Sequence, residues 1–180
     1  MLLEFPDDPT CWALEMQYML SPTLLIAPVF NEQGHVRFYL PQGRWTDFWT
    51  GEEVVGSRWL DRVVDYFAIP IYVRENSLLP MGPVESATRE SSLRDLELRV
   101  YAVSDETKLT LYDDDKIVHF HCVREGDHLT LTADADLPTW RVRFIGLAQA
   151  QLLGKENQAS IEGNDLLVTA RTRRVQLQIR

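Results

Sequence analysis

The chain has 180 residues, 45% of them hydrophobic, which is enough for one ordinary domain or two small ones with real cores and argues against disorder. Its formal net charge of −9 and pI near 4.9 argue against phosphate backbones and anionic membrane surfaces as partners, because both need clustered Lys and Arg. Neutral sugars remain compatible with that charge.

No stretch of about eighteen apolar residues is present, and no basic segment accompanies the start Met1-Leu2-Leu3-Glu4. Cys11 and Cys122 form no CxxC or Cys/His cluster and read as reduced, buried thiols. A cytoplasmic setting follows as an expectation, with no cofactor, metal, nucleic acid or membrane.

Residues 1–20 combine an apolar start with the acidic, Pro-bounded turn Pro6-Asp7-Asp8-Pro9. Trp12, Leu14, Met16, Met19 and Leu20 then predict a short helix, with Thr10 as N-cap and Pro22 near its end. This piece has no evident partner within the chain.

Strand patterns follow at residues 24–30, 36–40, 45–49 and 67–73, divided by turn signals at Asn31 to Gly34, Pro41-Gln42-Gly43 and Thr50-Gly51. The apolar run 24–29 reads as a strand covered on both faces, except that Pro28 cannot donate to a ladder and implies an edge or bulge. Residues 82–95 are small, polar and weakly periodic, as in a linker. Beyond them alternation is clean: Leu96, Leu98, Val100 and Ala102 share one strand face, and Leu129 with Leu131, Val142 with Phe144, Leu166 with Val168, and Val175, Leu177 and Ile179 repeat the pattern. Glu162-Gly163-Asn164-Asp165 reads as a hairpin turn. The fold class is all-β, with two consecutive antiparallel β-sandwich domains at residues 21–85 and 86–180 behind the separate piece 1–20.

Three passages before residue 82 and one short turn beyond it carry a family resemblance. Leu3-Glu4-Phe5-Pro6-Asp7-Asp8-Pro9, with Gln17-Tyr18-Met19-Leu20 and Leu24 to Val29, resembles a passage of glycoside hydrolase family 31. Tyr39 to Gly51 is similar to that family's "YLPxGxWxDFWTG" stretch, and Ile69 to Pro80 to its "xPVFVRxGxIIP" stretch. Leu111-Tyr112-Asp113-Asp114-Asp115 is similar to a "LYEDDG" turn, with Lys116 where the family has Gly. The Asp-Asp-Pro spacing, Gln17 to Leu20 and Gly56-Ser57-Arg58-Trp59 look closest to bacterial α-xylosidases, with α-glucosidases next. The resemblance implies that residues 1–20 are a remnant of the end of a catalytic (β/α)8 barrel, followed by proximal and distal C-terminal β-sandwiches. It also implies that the barrel of a parent enzyme is the partner, with an oligosaccharide as a candidate ligand.

Retaining hydrolysis needs two carboxyl groups about 5–5.5 Å apart. In this family both are aspartates on barrel strands upstream of the passage matched from residue 3, so the resemblance implies no catalytic and no substrate-binding residue in this chain. Asp7 and Asp8 are adjacent and project differently, which suits capping of backbone N–H groups rather than catalysis. Glu4 is read either as a structural salt bridge or as a pocket-rim residue. His119 and His121 share one strand face and read as solvent-facing rather than metal-binding, and Asp113 to Asp115 as a solvated turn rather than a calcium loop. Trp45, Phe48, Trp49 and Trp59 form either a sugar-stacking platform or a core or interface. The expected function is the structural C-terminal region of a retaining α-glycosidase, itself inactive. The alternatives are a stand-alone carbohydrate-binding or adaptor module, and a split or truncated gene whose partner chain supplies the barrel.

Overall fold

The computed structural model describes residues 1–82, 93, 95–113 and 116–179. The chain divides into two compact units, Met1–Glu75 and Asn76–Arg180. The first contains β1 (Tyr18–Leu20), β2 (Leu24–Ile26), β3 (His35–Leu40), β4 (Arg44–Asp47), β5 (Glu53–Val55), β6 (Arg58–Val63) and β7 (Ile71–Arg74). Five of these pair in the order β1-β2-β7-β4-β5, while β3 and β6 form a second ladder. On β3, Val36, Phe38 and Leu40 alternate with His35 and Arg37, so one face is apolar and meets Leu25, Trp45, Val54 and Tyr72 in a single core. Trp45 is fully buried, and its Nε1 donates to the Pro41 carbonyl at 2.8 Å.

Residues 1–20 correct the expectation of a helix. Asp8 caps a single 3-10 turn, Pro9–Ala13, and the chain is extended again by β1. A helix this short is marginal in water, and here tertiary contacts decide its fate. Phe5 and Cys11 are buried in the core of the first unit, and Gln17 hydrogen-bonds the backbone of Tyr39, so the opening piece has partners after all. The run 24–29 is strand only as far as Ile26; the Ala27 N–H still bonds the Pro70 carbonyl in register with β7, and Pro28 has no N–H to carry the ladder further.

The second unit contains β8 (Ser77–Met81), β9 (Glu97–Tyr101), β10 (Glu106–Asp113), β11 (Lys116–Glu125), β12 (His128–Ala133), β13 (Trp140–Phe144), β14 (Gln151–Leu153), β15 (Gln158–Glu162), β16 (Asp165–Ala170) and β17 (Arg174–Gln178). Two five-stranded sheets, β10-β11-β12-β17-β14 and β15-β16-β13-β9-β8, enclose a core that includes Leu98, Phe120, Leu131, Trp140, Phe144 and Leu177. Each such side chain contributes about 1.5–3 kcal/mol on burial. The hairpin expected at residues 162–165 is present, with Glu162 opposite Asp165.

Two features differ from the sequence reading. β8 pairs antiparallel with β9, Ser77 opposite Tyr101, so residues 77–81 belong to the second unit and the division falls at Asn76 instead of near residue 86. β9 and β13 are parallel neighbours in otherwise antiparallel sheets, because β10, β11 and β12 intervene in sequence and cross to the other sheet. Of the expected linker, residues 83–92 and 94 lie outside the described residues, as do Asp114 and Asp115 of the acidic turn.

Candidate functional site

Asp8 is a structural hub. Its Oδ1 accepts the Thr10 N–H at 3.0 Å, while the Cys11 N–H bonds the Asp8 carbonyl at 2.9 Å. Burial, then hydrogen bonding to the Asp8 carboxylate, raises the Tyr39 hydroxyl above its ordinary range. Burial and then the same carboxylate push the Cys11 thiol up to about 11. With the Thr10 N–H on its Oδ1, the Asp8 carboxylate is occupied as a cap. Asp7 beside it is exposed, and Glu4 is half-buried without an ion pair among the described residues.

The four aromatics do not form one platform. Trp45 is core. Trp49 is exposed, stands edge-on to Phe48 at 5.0 Å and donates through Nε1 to the Ile69 carbonyl at 2.8 Å. Trp59 lies against Tyr39 at 5.6 Å, and the Arg37 guanidinium sits 5.0 Å from its ring centroid. Trp12, which a helix would have used for packing, is exposed and donates to the Pro6 carbonyl at 2.8 Å.

In the second unit His119 and His121 share the outer face of β11. His119 Nδ1 lies 3.0 Å from the Thr110 hydroxyl, and His121 Nε2 lies 3.0 Å from Glu106. Among the described residues no three His, Cys, Asp or Glu side chains converge to hold a metal ion. No helix among them is long and apolar enough to cross a membrane.

Sequence reasoning did not find the ion cluster on the other sheet. Glu97 Oε1 accepts from Arg99 at 3.1 Å and from Arg143 at 3.0 Å, and Arg143 also reaches Glu162 at 2.9 Å. Burial works to raise the Glu97 carboxyl, but these guanidinium hydrogen bonds outweigh it and hold the group below its ordinary value. Strand alternation places Glu97 with Arg99 on one face of β9 and Arg141 with Arg143 on one face of β13, but only the register, with Arg141 opposite Glu97 and Arg143 opposite Arg99, brings the two pairs together.

The Glycosyl hydrolase family 31 C-terminal domain matches residues 1–79. Alpha-xylosidase XylQ of Lactiplantibacillus pentosus is 33% identical over 108 residues, which is 58% of this chain and 14% of that protein. An alpha-xylosidase of Saccharolobus solfataricus is 35% identical over 121 residues, 66% of this chain and 16% of the relative. The chain therefore spans a small part of these curated relatives' length. The fold of a family 31 dextranase from Flavobacterium johnsoniae, complexed with glucose, overlays 99% of this chain and 28% of its own with a TM-score of 0.82 at 17% identity. A family 31 alpha-xylosidase of Xanthomonas citri overlays 100% of this chain and 21% of its own, with a TM-score of 0.73 at 22% identity. Residues 1–79 thus carry the C-terminal domain of glycoside hydrolase family 31.

Proposed function

We propose that this chain is the structural C-terminal region of a retaining α-glycosidase acting on terminal α-linked xylose or glucose residues, and that it hydrolyses nothing by itself. One observation carries the reading. Among the described residues, Tyr112, Ile117 and Ile161 are the large apolar side chains exposed on the second unit, whereas the first unit exposes many, with Leu3 at 93%, Tyr66 at 94% and Phe67 at 92%. Apolar exposure on this scale marks surface that another folded body covers. A catalytic (β/α)8 barrel is that body, and residues 1–20 continue its end: Phe5, Cys11 and Gln17 turn into the first unit while Leu3, Trp12, Met16 and Leu20 turn outward. The unpaired thiols Cys11 and Cys122 fit a reducing, cytoplasmic compartment.

The purified 180-residue chain is expected to release no p-nitrophenol from α-xyloside or α-glucoside substrates, and turnover above the buffer rate overturns its inactivity. Co-expression with the barrel of a family 31 α-xylosidase is expected to yield a complex that co-purifies; failure to associate argues against the docking role.

The exposed indoles of Trp49 and Trp59 favour a second reading, a stand-alone carbohydrate-binding module. Calorimetry with xylosides, glucans and xyloglucan oligosaccharides separates the two readings. Heat that disappears in Trp49→Ala or Trp59→Ala supports the module, and its absence in the unaltered chain removes it.

A further inference from the structure

The outer face of β11, β12 and β17 holds a hollow of about 260 Å³ that lies wholly within the second unit. Strand register lays out its floor as three successive rows: His121, Thr132 and Arg174; then Val123 and Thr130; then Glu125 and His128. Neighbouring strands are about 4.8 Å apart and residues rise about 3.4 Å each, so the floor runs about 13 Å along the strands. That length accommodates a sugar ring with its substituents.

The polar groups divide by role. Arg99, Arg143 and Arg173 all pair with carboxylates, yet among the described residues the Arg174 guanidinium has no such partner. It therefore offers a two-pronged donor that matches a carboxylate. Thr132 Oγ1 donates to the His121 carbonyl at 3.2 Å, which leaves its lone pairs to accept. Thr130 Oγ1 accepts from Gln176 at 3.3 Å, which leaves its hydrogen to donate. Glu125 at the far end is a pure acceptor when ionised. Between the ends, Val123 and the threonine methyl groups present C–H surface suited to the apolar face of a pyranose ring.

We propose that this hollow binds a uronic acid residue of a glycan. The carboxylate sits on Arg174, the ring lies over Val123, and the hydroxyls reach Thr130, Thr132 and Glu125. The choice of a sugar acid over other hydroxylated carboxylates rests on the glycosidase reading, while the polarity of the site does not. That reading fails on p-nitrophenol release by the chain, so the two fail in different measurements.

The test is NMR titration of the isotope-labelled 180-residue chain with sodium D-glucuronate, D-glucose, sodium D-gluconate and sodium sulfate. Glucuronate is expected to shift the His121, His128, Thr130 and Thr132 signals saturably, with the other three solutes at least about tenfold weaker. Arg174→Gln is expected to weaken glucuronate at least about tenfold, a loss typical of removing one charge-assisted pair. Thr130→Val is expected to weaken it with Arg174 intact. The proposal is overturned if glucuronate gives no saturable shift at these residues, if glucose, gluconate or sulfate matches it, or if Arg174→Gln binds it unchanged.

Discussion

Gln17 holds both backbone groups of Tyr39: its Nε2 donates to the Tyr39 carbonyl at 2.8 Å, and its Oε1 accepts the Tyr39 N–H at 2.7 Å. One side-chain amide thus does for β3 what a neighbouring strand would do, and at 6% exposure no water competes. Gln17→Ala leaves a buried donor and acceptor unpaired and is expected to destabilise the first unit by about 2–4 kcal/mol. Urea unfolding followed by tryptophan fluorescence measures it, and a loss under about 0.5 kcal/mol would mean that water replaces the amide.

Asp8 joins the cap of the 3-10 turn to Tyr39 and Cys11. Asp8→Ala is expected to cost about 1–2 kcal/mol as a lost cap, and Asp8→Asn less, because the amide oxygen still accepts the Thr10 N–H. The same change should raise the reactivity of Cys11 toward a disulfide reagent at pH 8, since after burial the Asp8 charge is the next cause holding that thiol up. Cys122, pushed to about 12 by burial alone, should stay unreactive until the protein unfolds.

Glu97 sets an acid limit on the second unit. Its carboxyl lies below the ordinary value of 4.5 in the folded state, so its contribution to stability is complete above that value and is lost as pH falls through the lowered one. The urea midpoint of the unaltered chain is expected to fall more steeply than that of Glu97→Gln as pH drops from about 5 to about 3. Parallel curves would show that the arginines stabilise both forms equally.

Gly56 and Gly51 separate steric from conformational need. A Cβ on Gly56 would lie 1.8 Å from the Pro41 carbonyl oxygen, whereas one on Gly51 meets nothing within 4 Å but carries a φ of +74°. Gly51→Ala is expected to cost about 1–2 kcal/mol from the left-handed backbone alone, and Gly56→Ala distinctly more, because backbone must move. Thermal unfolding of both variants checks the order.

Tyr66 and Phe67 touch each other edge-on at 5.2 Å and little else. Replacing both by Ser is expected to change the unfolding free energy by less than about 0.5 kcal/mol while abolishing co-purification with the barrel. A large stability loss would assign them to the fold of the first unit.

Much of this protein was legible as local pattern. The alternation at residues 96–102, 129–131 and 166–168 marks β9, β12 and β16 because a strand's inward and outward faces are written into every second residue. The motifs at residues 3–9, 39–51 and 69–80 pointed to glycoside hydrolase family 31. Relations between distant residues were not legible. Only the tertiary structure put Trp45 in the core and Trp49 outside it, turned the opening piece from a helix into a clamped extended segment, moved β8 into the second unit, and set Arg174 beside Thr132. Periodicity belongs to the local chain, whereas strand partners and register depend on which remote side chains bury together after the intervening loops have closed.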